Sequence, residues 1–289
     1  MCCRQLIDHN ITRALVGCAP TDSRHNDLEV ARRRRGSLER PKLVCFHHAG
    51  AGSSAFASWQ KIIGEAAEVV PVTLPGRDQR KAEPRITDAD QLIEELHTQL
   101  GDTLNTHPYI LYGHSMGGLV AYNFARARER AGLPSPALVV IGATQAPHLA
   151  SPLQTGLELP DRELLQLLVA HQTLPPQAAQ GGRLWEQHVL PVVRDDLHLA
   201  QALLTAERTP LQAPLLALAA RRDTISPLHG IIEWADYAPA GFTVRTVEGD
   251  HLFVHGNKTP QILREAAMRL HTGHIPTEYD PLAMWREAS

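Results

Sequence analysis

The stretch Pro108-Tyr109-Ile110-Leu111-Tyr112-Gly113-His114-Ser115-Met116-Gly117-Gly118-Leu119-Val120 constrains this chain more than any other. A short apolar run ends in Gly-x-Ser-x-Gly, and a helix-compatible segment follows. A strand that turns so tightly into a helix puts Ser115 in strained backbone geometry and lifts its hydroxyl above the sheet. Gly113 and Gly117 flank the serine because strand and helix approach too closely there for side chains. The new helix presents free N–H groups beside the serine, and that of Met116 is placed to face a developing oxyanion. A bare five-residue match also marks ordinary loops. The apolar strand before it and the helix after it favour a nucleophile.

Strand and helix signals alternate on both sides of this turn. Order is expected from about Pro41. Lys42-Leu43-Val44-Cys45-Phe46-His47 reads as a buried strand. It runs into the glycine-rich turn His48-Ala49-Gly50-Ala51-Gly52-Ser53-Ser54, which matches neither phosphate-binding glycine spacing. The loop after such a strand supplies a second oxyanion donor, and Ala49 is the candidate. Phe56, Trp59, Ile62 and Ile63 have helical spacing and read as core contacts. Residues 68–74 read as a strand in which Pro71, lacking a donor, indicates an edge or a bulge. Thr87 is the expected cap of a helix carrying Leu92, Leu96 and Leu100. After the helix of residues 115–131, Ala137-Leu138-Val139-Val140-Ile141-Gly142 is another apolar strand.

This alternation argues for an α/β fold with a mostly parallel central sheet and helices on both faces. Ligands in such sheets bind at the carboxyl ends of the strands, where Ser115 is expected. The alternation breaks over about residues 150–208, which read as an inserted helical lid; a helix pair extending the core is the alternative. Residues 214–219 and 242–247 are the last strands, and a helix over about residues 259–271 closes the domain. Residues 1–39 read as a disordered extension containing Arg32-Arg33-Arg34-Arg35, residues 40–272 as one domain, and residues 273–289 as a loose tail.

Composition removes several function classes. The net charge of −3 gives no global basic field for nucleic acid or a membrane surface. No apolar run approaches the roughly 20 residues that span a bilayer, and no apolar segment follows the charge near Met1, so a cytoplasmic location is expected. Three of the four cysteines fall in the first 18 residues, and Cys45 lies in an apolar run. That is neither a disulfide framework nor a metal spacing.

A serine hydroxyl needs a base in hydrogen-bond reach, and the base needs an acid on its far nitrogen. In this layout the chain order is Ser, Asp, His. Asp223 lies just past one late strand and His251 just past the next, so both loops open on the Ser115 edge. Among 16 histidines, His255 is the rival base, one turn on; His114 should point away from Ser115, and His47 and His48 line the oxyanion loop. The rivals to Asp223 are Asp250, too close in sequence to reach the ring of His251, and Asp195 or Asp196 in the lid.

With these residues in hand, the chain resembles the type II thioesterases of polyketide and nonribosomal peptide synthesis and the related thioesterase of animal fatty acid synthesis. The likeness rests on residues 43–50, Leu74-Pro75-Gly76-Arg77, Gly113-His114-Ser115-Met116-Gly117-Gly118, Ala146-Pro147-His148, Leu190-Pro191-Val192-Val193-Arg194-Asp195-Asp196, and Gly249-Asp250-His251-Leu252-Phe253. The resemblance implies an α/β-hydrolase fold, with Ser115 as nucleophile, His251 as base and Asp223 as orienting acid. It implies an oxyanion hole from the backbone N–H groups of Ala49 and Met116, and no cofactor or metal. The implied substrate is an acyl group on the phosphopantetheine arm of an acyl or peptidyl carrier protein, and a monomer is expected. His47 and Asp250 depart from the family, which usually has proline and glycine there.

Editing of stalled acyl groups is the function this implies. Dedicated product release or small-molecule esterase activity stays open, as does a non-catalytic interaction protein on the same fold. An acidic carrier would meet Arg77, Arg183 and Arg194; the competing reading pairs Arg194 internally with Asp195, Asp196 or a neighbour.

Overall fold

The computed structural model describes residues 40–271. The extension expected over residues 1–39 and the tail over residues 273–289 lie outside the described residues. Six strands form one parallel sheet in the order β2-β1-β3-β4-β5-β6. They are β1 (Lys42–Phe46), β2 (Glu68–Pro71), β3 (Tyr109–His114), β4 (Leu138–Gly142), β5 (Leu215–Ala220) and β6 (Phe242–Val247). The helices are α1 (Trp59–Ile63), α2 (Ala89–Thr106), α3 (Met116–Arg130), α4 (Asp161–Ala170), α5 (Leu190–Thr205), α6 (Leu228–Ile232) and α7 (Lys258–His271).

The continuous apolar runs have a direct cause. Alternate residues of one strand enter two different cores. Val44, Phe46, Leu111, Val139, Ile141, Leu215 and Ala217 pack on one face with residues of α2, α3 and α5. Leu43, Cys45, Ile110, Tyr112, Val140, Leu216 and Leu218 pack on the other with residues of α1 and α7. Cys45 is fully buried, which pushes its thiol pKa well up. Both faces are therefore covered, as the alternation of strand and helix signals requires.

Three local expectations change. The strand expected over residues 68–74 ends at Pro71. It is the edge strand, so the missing proline donor costs no ladder bond, and the chain leaves toward the Pro75-Gly76 turn. Asp88, not Thr87, caps α2: its backbone is extended and its carboxylate accepts from Gln91 N–H at 2.8 Å. The helix expected through Phe56 and Ile63 divides into a 3₁₀ turn, Ser53–Phe56, and α1, with Phe56 and Trp59 both buried.

The segment between β4 and β5 contains α4 and α5 with 3₁₀ and π turns between them. It has its own apolar cluster, in which Leu153, Leu164, Leu165, Leu168, Leu190, Val193 and Leu197 meet Ile225. α5 also packs along α3 through Leu199, Leu203 and Leu204.

The strand order reverses direction at β1, which has β2 on one side and β3 on the other. A crevice opens at the carboxyl ends of the strands where such a reversal occurs. The turn after β1 and the serine after β3 are the two edges of that crevice.

Candidate active site

Ser115 joins β3 to α3 with φ 54° and ψ −119°, a backbone region non-glycine residues rarely occupy. The strain is held by three glycines. A Cβ on Gly113 would collide with the Gly117 carbonyl, one on Gly117 with the carbonyls of Phe46 and His47, and one on Gly118 with the Thr144 side chain. The Ser115 amide donates to Gly142 O at 2.8 Å, and the Thr144 hydroxyl reaches Ser115 O at 2.8 Å.

His251 Nε2 is 2.9 Å from Ser115 Oγ, and His251 Nδ1 is 3.0 and 2.9 Å from the two Asp223 oxygens. A carboxylate only accepts, so Nδ1 carries the proton and Nε2 accepts from the serine hydroxyl. His251 and Asp223 are 2% and 5% exposed, so water does not compete for these bonds. Asp223 Oδ1 also accepts from the amides of Ile225 and Ser226 at 2.8 and 3.0 Å. Burial opposes ionisation of Asp223, but the His251 bond and charge and these two amides outweigh it, and its pKa lies below the usual value.

None of the rival residues joins this hydrogen-bonded series. His255 is exposed at the end of the 3₁₀ turn Phe253–His255. Asp250 accepts from Leu252 N–H at 3.2 Å. Asp195 pairs with Arg85 at 2.6 Å, and Asp196 pairs with Arg77 at 2.7 Å. Arg194 pairs with Asp161 at 2.7 Å and donates to the carbonyls of Leu157 and Leu159. Arg77 is buried in its pair with Asp196, and Arg194 is half-buried and pairs within the chain, as its competing reading had it, though with Asp161 and not with Asp195 or Asp196; Arg183 stays exposed beside Gln187.

Sequence reasoning missed the support behind His251. His114, fully buried, donates Nε2–H to His251 O at 2.7 Å, and its Nδ1 accepts from Tyr112 O–H at 2.9 Å. Burial, and then the neighbouring His48 and His251, hold its pKa well below the ordinary value, so it stays neutral. His114 was expected to point away from Ser115, but no sequence signal named its partner.

The turn after β1 faces the serine. Ala51 N–H donates to His48 O at 3.2 Å, and Gly50 has φ 78°. Ala49 and Ser115 both line a cavity of about 800 Å³ between the strand ends and the segment of α4 and α5. A second recess of about 60 Å³ opens at the same two residues, lined by Met116, Leu119, Leu149, Leu204 and Ile225 among others. The N–H of Met116 belongs to the first turn of α3, which has no intrahelical acceptor. Burial pushes the His48 pKa down to about 3, and burial followed by the Arg77 charge lowers that of His47. Among the described residues no His, Cys, Asp and Glu cluster is arranged to hold a metal ion, and no helix is long and apolar enough to cross a membrane.

The chain is similar in sequence and in fold to known proteins. The Thioesterase domain family matches residues 41–269. A relative, the linear gramicidin dehydrogenase LgrE of Brevibacillus parabrevis, is 32% identical over 219 residues, spanning 75% of this chain and 82% of that protein. The solved structure of RedJ, a thioesterase from the prodiginine pathway of Streptomyces coelicolor, superposes with a TM-score of 0.71 at 32% identity, covering 81% of this chain and 90% of that one. YbtT, a type II thioesterase from the yersiniabactin NRPS/PKS pathway, gives 0.71 at 25% identity, covering 82% and 95%. The match covers all six strands and all but the last two residues of α7, and the chain belongs to the thioesterase family.

Proposed function

We propose that the chain is a serine hydrolase that cleaves acyl thioesters from the phosphopantetheine arm of carrier proteins and so edits stalled or aberrant acyl groups in polyketide or nonribosomal peptide synthesis. The observation that carries this reading is the hydrogen-bonded series Ser115–His251–Asp223 opening into the large cavity. That RedJ is a thioesterase of the prodiginine pathway and YbtT a type II thioesterase of an NRPS/PKS pathway supports the substrate class. LgrE is named a dehydrogenase, but the turn after β1 lacks the glycine spacing of a dinucleotide fingerprint.

In the proposed mechanism His251 Nε2 takes the Ser115 proton as Oγ attacks the thioester carbonyl. The oxyanion is held by the amides of Ala49 and Met116. Collapse breaks the C–S bond, and the leaving thiolate takes the proton from His251. Water then gives a proton to His251 and attacks the acyl-serine, and the second collapse returns that proton to Ser115 Oγ and releases the acid. The segment over residues 150–208 acts as a lid, and the arm enters through the cavity beneath it. Hydrolysis of carrier-bound acyl groups of several chain lengths tests this. Slow, broad turnover supports editing; one dominant substrate points to dedicated release; no turnover overturns the reading.

A further inference from the structure

Three backbone groups of the turn of residues 48–51 are held by side chains from outside it. His48 O accepts from His47 Nδ1–H at 2.9 Å. Gly50 N–H donates to Asp196 Oδ2 at 2.7 Å. Ala51 O accepts from Arg77 Nη1 at 2.8 Å. Arg77 and Asp196 are themselves joined by two bonds of 2.9 and 2.7 Å, and they are 8% and 1% exposed. One charge pair therefore holds the amide on one side of Gly50 and the carbonyl of the next residue. Val193, three residues before Asp196 on α5, leaves no room for a side chain at Gly50.

We propose that Asp196, with Arg77, is a positioning residue that couples the seating of α5 to the assembly of the oxyanion hole. Resting on the thioesterase reading, this adds what that reading leaves open: how a donor on a flexible glycine turn is held in place. Asp196 belongs to the inserted segment, whereas Ala49 belongs to the loop after β1. The gripped Gly50 amide and the Ala49 amide belong to consecutive peptide units. When α5 is seated the turn is fixed and the Ala49 N–H faces the oxyanion; when α5 lifts, Gly50 loses its acceptor and the turn is free to rotate. The Ala49 donor is then in place only in the closed state, while Met116 N–H stays fixed by its own helix, so substrate that allows closure is turned over faster than substrate that props the lid open.

The test uses Asp196→Asn, which keeps an acceptor for Gly50 but removes the charge that orders Arg77. Three quantities are measured on the full chain: kcat/KM for a small free thioester, the affinity of an alkyl boronic acid that becomes tetrahedral on Ser115, and the affinity of the matching thioether, which has no carbonyl. The first two should fall in parallel by about tenfold or more, a fraction of the loss on deleting an oxyanion donor, while thioether affinity stays within about twofold. Asp195→Asn, on the same helix but paired with Arg85 instead, should leave all three within about twofold. If Asp196→Asn does not fold, Arg77→Lys, which loses the two-pronged grip, gives the same readout. A lower melting temperature with unchanged boronate affinity and kcat/KM overturns the proposal, and so does an equal loss on boronate and thioether. Wild-type protein that neither hydrolyses thioesters nor binds the boronate overturns the thioesterase reading itself, a distinct result.

Discussion

At the scale of single residues, the hydrogen bonds assign the proton. Asp223 accepts from His251 Nδ1, which leaves Nε2 as the acceptor for Ser115. Ser115→Ala should therefore cut thioester hydrolysis by several orders of magnitude with an unchanged melting temperature, and near-wild-type turnover would remove the serine from the chemistry. Asp223→Asn should allow the wrong tautomer of His251 and lower kcat by up to about 10⁴-fold. Asp250→Asn should change kcat less than about threefold, because its carboxylate serves Leu252 N–H; steady-state kinetics of the pair decides, and a larger loss at Asp250 would move the acid to the other side of the base. That Ser115, Asp223 and His251 would meet was legible because chain order and strand ends constrain them. Tyr112, His114, Arg77 and Asp196 were not. Their roles depend on which distant atom each one meets, and His114 meets a backbone carbonyl 137 positions away.

At the scale of elements, apolar runs read correctly as buried strands because period-two burial on both sheet faces leaves no polar position. Boundaries read less well where a single side chain decides them. Thr87 and Asp88 are both good caps by type, and only the Asp88 carboxylate reaches the Gln91 amide. The short pieces around residues 53–63 and 152–189 gave blurred helical signals because 3₁₀ and π turns share apolar spacing with an α-helix over so few residues. Glycines separate the two kinds of constraint. Gly117→Ala drives a Cβ into the carbonyls of Phe46 and His47 across the β1–α3 contact. It should cost about 3 kcal/mol or more, since backbone cannot move aside as a side chain does. Gly101→Ala, in the middle of α2 with open space where its Cβ would go, should instead stabilise the fold by about 1 kcal/mol. Urea unfolding of the two variants reads both numbers, and a harmless Gly117→Ala would mean that the elbow is not built on close backbone approach.

For the whole molecule, the strand order carries the functional argument. The reversal at β1 opens a crevice whose two walls are the turn of residues 48–51 and the elbow at Ser115, and the last two strands deliver Asp223 and His251 to the same edge. That edge also gathers histidines that the fold keeps neutral. His47, His48 and His114 all have pKa values below the ordinary 6.5, burial being the largest cause for each, and His48 is pushed down to about 3. In the unfolded chain each titrates near its ordinary value. As pH falls below about 6.5, the unfolded chain therefore takes up protons that the folded state refuses, and stability drops with pH until the folded groups titrate in turn. Asp223, also depressed, acts in the same direction at lower pH, where the unfolded carboxylate protonates first. The urea midpoint should hold steady above pH 7 and fall from about pH 6.5 downward. His48→Gln, which removes one of these groups, should reduce the slope between pH 6 and 5 by up to one proton. A midpoint that stays level from pH 7 to 5 would show that these rings are protonated inside the fold, and the neutral His114 that holds the His251 carbonyl would have to be abandoned with them.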